Sequence, residues 1–594
     1  MNTFTRIRIM GIVFSFIAGL IIARMVIIQN SAQGKALRIE ADRQYEYIYD
    51  RLIPERGNIY DKWGHLLAGN KVVYEIGVYL GDSQLHPATI AKETSKYLKK
   101  DYSDILDRVN TTYVEQQTEY VVIADFVDTK TKEQLEAVMA KYEAMPAPDN
   151  LRKGERKPSL SGLIFSPHLK REYPENSLAA NVIGFYSFMD RQKGSAHYGV
   201  EEKYDQLLAG TPQDVKIPLE PRKISDIPNI PPGASLILTI DRKIQASVED
   251  ILDHAVEKNA AVSGAIVVED PKTGEILAMA TNPRMNPNEY WKSQALFDSK
   301  TFNRAVDTTY EPGSVFKVLT MASAMDAGAV KPDTPFLDTG QIEIGGYTIY
   351  NWDRSAWGAQ NMLTCMEHSL NVCLSWVAIK LGPAKFYDYL KAFGIGHRTN
   401  IDLSGEKTFP LAIPGDGSWY PVNLATNSFG QGLAVSPIQM VSAISAVAND
   451  GKMMAPHILR AVVSNGQKTE IPPRLAGNPI SPQTAHALSQ MLSISLKQES
   501  YEAAQVEGYT MSGKTGTAEI PGEGGYLSNL TNASFVGWGP VENPRFVVYI
   551  WLEKPKSSIW GSIVASPIFK KVVESLVVLM DIPPDAVRRQ LTPQ

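Results

Sequence analysis

The sequence is short of cysteine, of charge imbalance and of long apolar runs, and each shortage removes a class of protein. Its 594 residues hold two cysteines, Cys365 and Cys373. Two thiols cannot build the dense bridge framework of a small secreted domain or a four-ligand structural zinc site, and by themselves they leave the redox compartment open. The nine histidines are scattered, none in the His-x-x-x-His spacing of a helical zinc site, so no metal and no cofactor is expected. Lysine and arginine number 59 against 64 acidic residues, with no long run of one sign. No polyanion-binding face follows, and nucleic acid is excluded as a partner. There are no internal repeats or low-complexity tracts.

The one long apolar stretch runs from Ile9 to Ile28, broken only by Arg24 and small residues. About 20 such residues match the ~30 Å hydrocarbon core of a bilayer. The run is long for a signal-peptide core and no small-x-small cleavage site follows it, so it reads as a retained anchor. Arg6 and Arg8 precede it, whereas Arg24, Lys35 and Arg38 lie at or beyond its far end, and these charges do not decide sidedness.

The remaining length suits three or four domains at roughly 100–200 residues each. Gln29 to Asp50 is polar and helix-compatible, Pro54-Glu55-Arg56-Gly57-Asn58 breaks it, and Val72 to Tyr79 reads as a strand. Helical periodicity recurs at Ile90–Leu98 and Lys132–Tyr142, and Pro146 to Pro158 reads as a loop. Proline density at Ile227–Gly233 sets a second boundary. Beyond it, Leu236–Thr239 reads as a strand, and Asp241 caps a helix whose Ile244, Val248, Ile251, Leu252 and Ala255 share one face. Ala265–Val268 and Glu275–Ala280 flank a turn at Pro271–Gly274. Ala533–Gly539 and Phe546–Leu552 likewise flank Glu542-Asn543-Pro544. Val315 to about Ser445 is mostly helical in pattern. The predicted fold class is α+β and multidomain, with an antiparallel sheet built from both ends of the last domain and a helical insertion between them.

Three motifs stand in order inside that domain: Ser314-Val315-Phe316-Lys317, Ser369-Leu370-Asn371 and Lys514-Thr515-Gly516-Thr517. Each alone is common by chance; the ordered triple is the serine penicillin-recognising constellation. Ser314 follows Pro312-Gly313 and precedes an apolar run, which predicts a helix N-terminus and a dipole favouring an anion there. Three residues on, Lys317 shares its face and can take the serine proton. An ordinary lysine titrates near 10.4, so burial, the helix terminus and Lys514 must lower its pKa. Ser369 is assigned to proton relay and Asn371 to hydrogen bonding the acyl-donor peptide; plain helix capping is the bland reading of both. Lys514, Thr515 and Thr517 are assigned to a terminal carboxylate, with Gly516 giving room for substrate backbone. The N–H groups of Ser314 and Thr517 form the expected oxyanion hole. Ser512–Gly516 can also be read as a flexible turn or a phosphate loop, but it lacks the Gly-x-x-x-x-Gly-Lys spacing.

With these residues in view, the chain resembles a class B penicillin-binding protein from its anchor to Pro584. Arg56–Asp61, Arg171-Glu172-Tyr173-Pro174, Gly199-Val200-Glu201 and Leu207–Gly210 resemble the non-catalytic pedestal motifs of that family. Glu311–Ser314, Ser428-Phe429-Gly430-Gln431-Gly432 and Phe535-Val536-Gly537-Trp538 resemble its septal FtsI/SpoVD branch more than its elongation branch. The resemblance implies residues 1–30 as cytoplasmic tip and transmembrane anchor and 31–233 as a mixed α/β pedestal. Residues 234–584 become a transpeptidase domain with a helix-flanked antiparallel sheet, and 585–594 a tail. It further implies Arg6 and Arg8 in the cytoplasm, a single-pass protein of the cytoplasmic membrane and an extracytoplasmic catalytic domain. That domain cross-links the stem pentapeptides of nascent glycan strands with release of D-alanine and is acylated by β-lactams at Ser314. Partners implied are an FtsW-like lipid II polymerase of the SEDS type and divisome membrane proteins. One departure is Leu370, where many division transpeptidases carry a small polar residue. Cys365 and Cys373 flank that motif. On one straight helix they stand about 12 Å apart, too far for a bridge; in a looped segment they can pair. The rival readings are an elongation-type transpeptidase, a β-lactamase, which would normally be one soluble domain, and a β-lactam sensor or divisome scaffold without turnover.

Overall fold

The computed structural model describes residues 3–591 apart from 46, 83–84, 116, 147–155, 189–193, 219–229, 294, 296–300 and 523–524. Most of the predicted loop at Pro146–Pro158 and the first part of the Ile227–Gly233 boundary therefore lie outside the described residues. Contacts divide the chain into two units: residues 1–57 with 209–234, and 58–208 with 235–594.

The first unit carries the apolar helix Thr3–Asn30, followed by the polar helix Ala32–Tyr45. Ile9–Asn30 is long and apolar enough to cross a membrane, and its large side chains are exposed. The helical reading of Gln29–Asp50 needs correction at its end, because Tyr47–Leu52 is a strand paired antiparallel with Gln213–Pro218. Tyr47, Ile48 and Tyr49 are the β-branched and aromatic residues that favour that choice.

In the second unit, strand β1 (Ile59–Tyr60) turns into the long β2 (Leu66–Tyr79), which is flanked by β3 (Tyr120–Val127) and β4 (Leu163–Glu172). The predicted strand at Val72–Tyr79 is the second half of β2. The predicted helices occur at Pro87–Leu98 and Thr129–Ala144. The expected strand at Leu236–Thr239 is β5 (Ser235–Leu238). It pairs in parallel with β1 and antiparallel with Leu459–Ser464, so one seven-stranded sheet runs through both portions of the unit.

The portion from residue 235 onward is layered. Helix α1 (Arg242–Lys258) is capped by the Asp241 carboxylate, which accepts from the N–H groups of Lys243 and Ile244. Strands β6 (Ser263–Glu269), β7 (Ile276–Asn282), β8 (Ser512–Gly522), β9 (Gly525–Gly539) and β10 (Phe546–Glu553) form an antiparallel sheet in the order β7-β6-β10-β9-β8. This is the sheet expected from both ends of the domain. Side-chain alternation splits β10 cleanly: Phe546, Val548, Ile550 and Leu552 enter one core with α1, while Val547, Tyr549 and Trp551 enter the other. Helix α6 (Ser566–Leu579) covers the first face, with Phe569 stacked on Phe535 at 4.5 Å. Both faces of β6, β7 and β10 are buried, which is why these strands read as nearly continuous apolar runs.

Helices α2 (Lys317–Asp326), α3 (Met362–Glu367), α4 (Asn371–Leu381) and α5 (Pro437–Ala448) belong to the insertion, together with Pro383–Ala392 and Pro421–Ser428. The mostly helical reading of this stretch missed two short strand pairs, Pro335–Asp338 with Gly358–Asn361 and Gln341–Ile344 with Tyr347–Tyr350. Four residues apiece, with several glycines close by, are too few to show a clear period.

Candidate active site

The loop that carries Ser314 is shaped by close backbone approach. Gly313 has a positive φ of 61°, and a Cβ there would lie 2.6 Å from the Thr517 carbonyl oxygen. Its N–H donates to the Gly430 carbonyl at 3.0 Å, and a Cβ on Gly430 would in turn meet the Gly313 carbonyl at 2.2 Å. Only glycines let the Glu311–Ser314 and Ser428–Gly432 segments pack this tightly against β8. Ser314 then sits in a 3₁₀ turn, Gly313–Phe316, and the Lys317 N–H bonds back to the Ser314 carbonyl.

Lys317 is fully buried. Its Nζ lies 2.6 Å from the Ser369 carbonyl, 2.7 Å from Asn371 Oδ1 and 3.1 Å from Ser369 Oγ. None of these partners is a carboxylate. Burial, followed by the charge of Lys514, holds the Lys317 pKa well below its ordinary 10.5. Its N–H groups donate to all three oxygens, the Ser369 carbonyl, Asn371 Oδ1 and the Ser369 hydroxyl. Among the described residues no hydrogen bond joins Lys317 to Ser314. The one-turn spacing is present, but the amine is held from the side by the Ser369 motif.

That motif spans a helix break. Ser369 lies between α3 and α4 with φ of 53°, a region costly for a residue with a Cβ, and this turns both its carbonyl and its hydroxyl onto Lys317. Asn371 begins α4, with Oδ1 accepting from Lys317 and Nδ2 donating to the Tyr350 carbonyl at 3.2 Å. Its amide is thus committed to the protein at both ends, beyond the peptide contact expected of it. Leu370 is fully buried in the core. Because the segment is looped, Cys365 and Cys373 have Cα atoms 6.1 Å apart and form a disulfide.

The third motif is a strand, neither turn nor phosphate loop. Alternation along β8 separates its residues: Thr515 and Thr517 line the cleft beside Ser314, while Lys514, only 1% exposed, and Gly516 lie on the other face. The expectation that Gly516 makes room for substrate needs correction. A Cβ there would meet Ser534 Oγ at 2.2 Å and Val315 Cγ1 at 2.9 Å, so the glycine admits the protein's own packing. The Thr517 hydroxyl accepts the Gly561 N–H at 2.9 Å.

Ser314, Ser369, Asn371, Thr515 and Thr517 open onto one cleft of about 750 Å³. Its far wall was not foreseen. Trp352, half exposed, meets Trp560 edge-on at 5.4 Å and donates its indole N–H to the His368 carbonyl at 3.0 Å. Asn351, buried beneath it, accepts the Val372 N–H and ties this loop to the start of α4. The sequence signal was there: Tyr347, Tyr350, Trp352 and Trp357 crowd a stretch with little apolar periodicity, as binding-surface aromatics do.

A hydroxyl in a cleft, a buried amine of lowered pKa one turn away, a serine bridging to that amine and an edge strand carrying threonines define a serine acyltransferase of the penicillin-recognising class. Residues 264–574 match the family described as "Penicillin binding protein transpeptidase domain", and residues 51–221 match "Penicillin-binding Protein dimerisation domain". The chain belongs to the penicillin-binding proteins, of the class B type that joins these two domains. It is 32% identical to Stage V sporulation protein D of Bacillus subtilis over 537 residues, covering 88% of this chain and 77% of that protein. It is 30% identical to peptidoglycan D,D-transpeptidase FtsI of Escherichia coli, covering 73% and 71% of the two chains. Among solved structures it is similar to penicillin-binding protein 3 of Mycobacterium tuberculosis complexed with aztreonam. That match has a TM-score of 0.67 and 26% identity, covering 90% of this chain and 98% of the other.

Proposed function

We propose that this protein is a serine DD-transpeptidase of peptidoglycan that β-lactams acylate. The observation that carries the reading is the buried Lys317 amine, held by Ser369 and Asn371 one turn from Ser314 at the floor of a cleft. Lys317 takes the Ser314 proton as Oγ attacks the carbonyl between the two terminal D-alanines of a stem pentapeptide. Ser369 relays that proton to the departing nitrogen, D-alanine leaves, and the Ser314 ester is passed to the amine of a neighbouring strand. Thr515 and Thr517 receive the terminal carboxylate, and Lys514 supplies positive charge behind them. The N–H groups of Ser314 and Thr517 stabilise the oxyanion; the close approach of Gly313 to the Thr517 carbonyl supports that pairing.

The apolar helix at Ile9–Asn30 supports a single-pass anchor in the cytoplasmic membrane, with the catalytic domain outside. The Cys365–Cys373 disulfide, a bond that persists in oxidising compartments, supports the same sidedness. We assign residues 1–30 to the anchor, 31–233 to the pedestal, 234–584 to the transpeptidase domain and 585–594 to the tail. Similarity to FtsI and to Stage V sporulation protein D supports a septal role, with an FtsW-like lipid II polymerase and divisome membrane proteins as partners.

Intact mass spectrometry after penicillin exposure tests the nucleophile. The wild-type chain gains one adduct and Ser314→Ala gains none; an adduct on both chains refutes the assignment. Fluorescent-penicillin labelling coupled to a cross-linking assay separates the alternatives. Lasting label with cross-links marks a transpeptidase, rapid loss of label a β-lactamase, and lasting label without cross-links a sensor.

A further inference from the structure

Transpeptidation needs two substrates, and the residues above account only for the acyl donor. The acceptor is an amine, which in water near neutral pH is mostly an ammonium ion of pKa about 10.4 if it resembles a lysine side chain. Its nitrogen forms the bond that the departing D-alanine nitrogen gave up, so microscopic reversibility brings it in along the path by which D-alanine left. On the reading above, that path runs over the cleft face of β8, where Thr515 and Thr517 hold the D-alanine carboxylate.

The next side chain on that face is Glu519. Thr515, Thr517 and Glu519 alternate along β8 and all three line the cleft, two residues apart, or about 7 Å per step. Gln431, also in the cleft, donates its Nε2–H to Glu519 Oε2 at 3.3 Å. Gln431 belongs to the segment whose Gly430 carbonyl holds the Gly313 N–H, so the Glu519 carboxylate is tied to the loop that carries the nucleophile. Beside it, Glu311, three residues before Ser314, accepts from the Gly432 N–H at 3.0 Å and from the Tyr526 hydroxyl at 3.1 Å. Burial pushes the Glu311 carboxyl up, and the nearby Glu519 charge adds to this. Of this pair Glu519 is the exposed member and lines the cleft. The other charged cleft residues, Arg354 and Glu367, belong to the wall formed by residues 348–371.

We propose that Glu519 receives the acyl acceptor: its carboxylate binds the acceptor ammonium and takes the proton that the nitrogen must lose before it attacks the Ser314 ester. The carboxylate becomes a carboxylic acid as the ammonium becomes a free amine. The new N–C bond forms while the bond from the acyl carbon to Ser314 Oγ breaks. The second nitrogen proton passes through Lys317 to Oγ, restoring the hydroxyl, and Glu519 returns its proton to solvent. Nothing else is consumed.

This inference rests on the transpeptidase reading, and its test keeps the two apart by measuring the half-reactions separately on the full-length protein. Acylation is read as the second-order rate of penicillin labelling. Acceptor use is read with a benzoyl-D-alanyl thioester donor and glycinamide, as the ratio of amide product to hydrolysis product over pH 6–9. Glu519→Gln is expected to label within about twofold of the wild type while its amide-to-hydrolysis ratio falls on the order of tenfold, the size of losing one charge-assisted contact at a partly exposed site. Glu519→Asp restores part of that ratio, and Glu367→Gln leaves it unchanged. Equal losses in labelling and aminolysis would show Glu519 to be a strut for the Ser314 loop and overturn the proposal. An unchanged ratio in Glu519→Gln, or the loss appearing in Glu367→Gln instead, would overturn it as well. Failure of wild-type labelling would instead sink the transpeptidase reading.

Discussion

Lys317 shows how one residue's chemistry depends on what surrounds it. The Ser-x-x-Lys spacing predicts a base near Ser314, but a base must be unprotonated, and spacing alone cannot make it so. Full burial among oxygens that carry no charge pushes the pKa down toward that state. Because its folded pKa lies below the unfolded value, the unfolded chain binds the extra proton, and stability at this site rises with pH between the two values. Acylation follows the same titration, rising as the pH climbs through the depressed pKa. Replacing Lys514 by Gln removes the neighbouring positive charge, so the Lys317 pKa moves back up. The acid limb of the penicillin acylation rate is then expected at higher pH than in the wild type, which a pH series of labelling rates measures. A limb that stays in place would remove Lys514 from the tuning of Lys317. Gly516 carries a second lesson at this scale: the sequence marks a glycine on β8, but only its neighbours Ser534 and Val315 reveal what it makes room for.

At the scale of elements, the five-stranded sheet was legible because hairpin turns and apolar runs are local signals. Its cost was not. Glu269 ends β6 fully buried, and its carboxyl oxygens have no hydrogen-bond partner among the described residues. Burial pushes its pKa up to about 8, an effect that the nearby Ser445 only partly offsets. For an acid whose folded pKa is raised, stability is fully present below the unfolded value near 4.5 and is lost as pH rises to about 8, a loss of at most roughly 5 kcal/mol. Glu269→Gln keeps the shape and removes the titration. Its melting temperature should therefore approach that of the wild type at pH 5 and exceed it at pH 8, measured by calorimetry at both. A difference that does not depend on pH would show that Glu269 is not protonated in the folded protein. The α3–α4 break belongs to this scale too. A straight helix would have kept Cys365 and Cys373 apart, and the left-handed Ser369 decides otherwise.

Across the whole molecule, the pedestal motifs find their purpose in each other. Arg171 from one motif and Glu201 from another form a buried ion pair at 2.7 Å, and Tyr173 adds its hydroxyl at 3.2 Å. Such a pair specifies an arrangement more than it stabilises one, but losing either partner strands a buried charge. Asp402 of the catalytic portion accepts from Tyr204 of the pedestal at 2.9 Å and from the N–H groups of Ile458 and Leu459. The seven-stranded sheet continues the link, with Leu236 N–H on the Asn58 carbonyl at 2.8 Å. A protein trimmed to residues 58–591 is therefore expected to unfold in one calorimetric transition. Residues 234–591 alone, deprived of β1, should melt at lower temperature or fail to fold. Two separated transitions in the longer protein would show the portions to be independent.

The sequence by itself determined the long apolar helix, the order of the three motifs, the sheet built from both ends of the last domain and the residue types the chemistry needs, because these rest on period, length and local turn chemistry. Tertiary structure alone decided that Lys317 bonds to Ser369 and Asn371, that Lys514 and Thr515 face opposite ways, that the cysteines pair and that Trp352 and Glu519 share the cleft. Those outcomes depend on burial and on which side chain points where. Both are set by tertiary packing, which brings Lys317 onto a motif more than 50 residues away and bends the short Cys365–Cys373 segment back on itself.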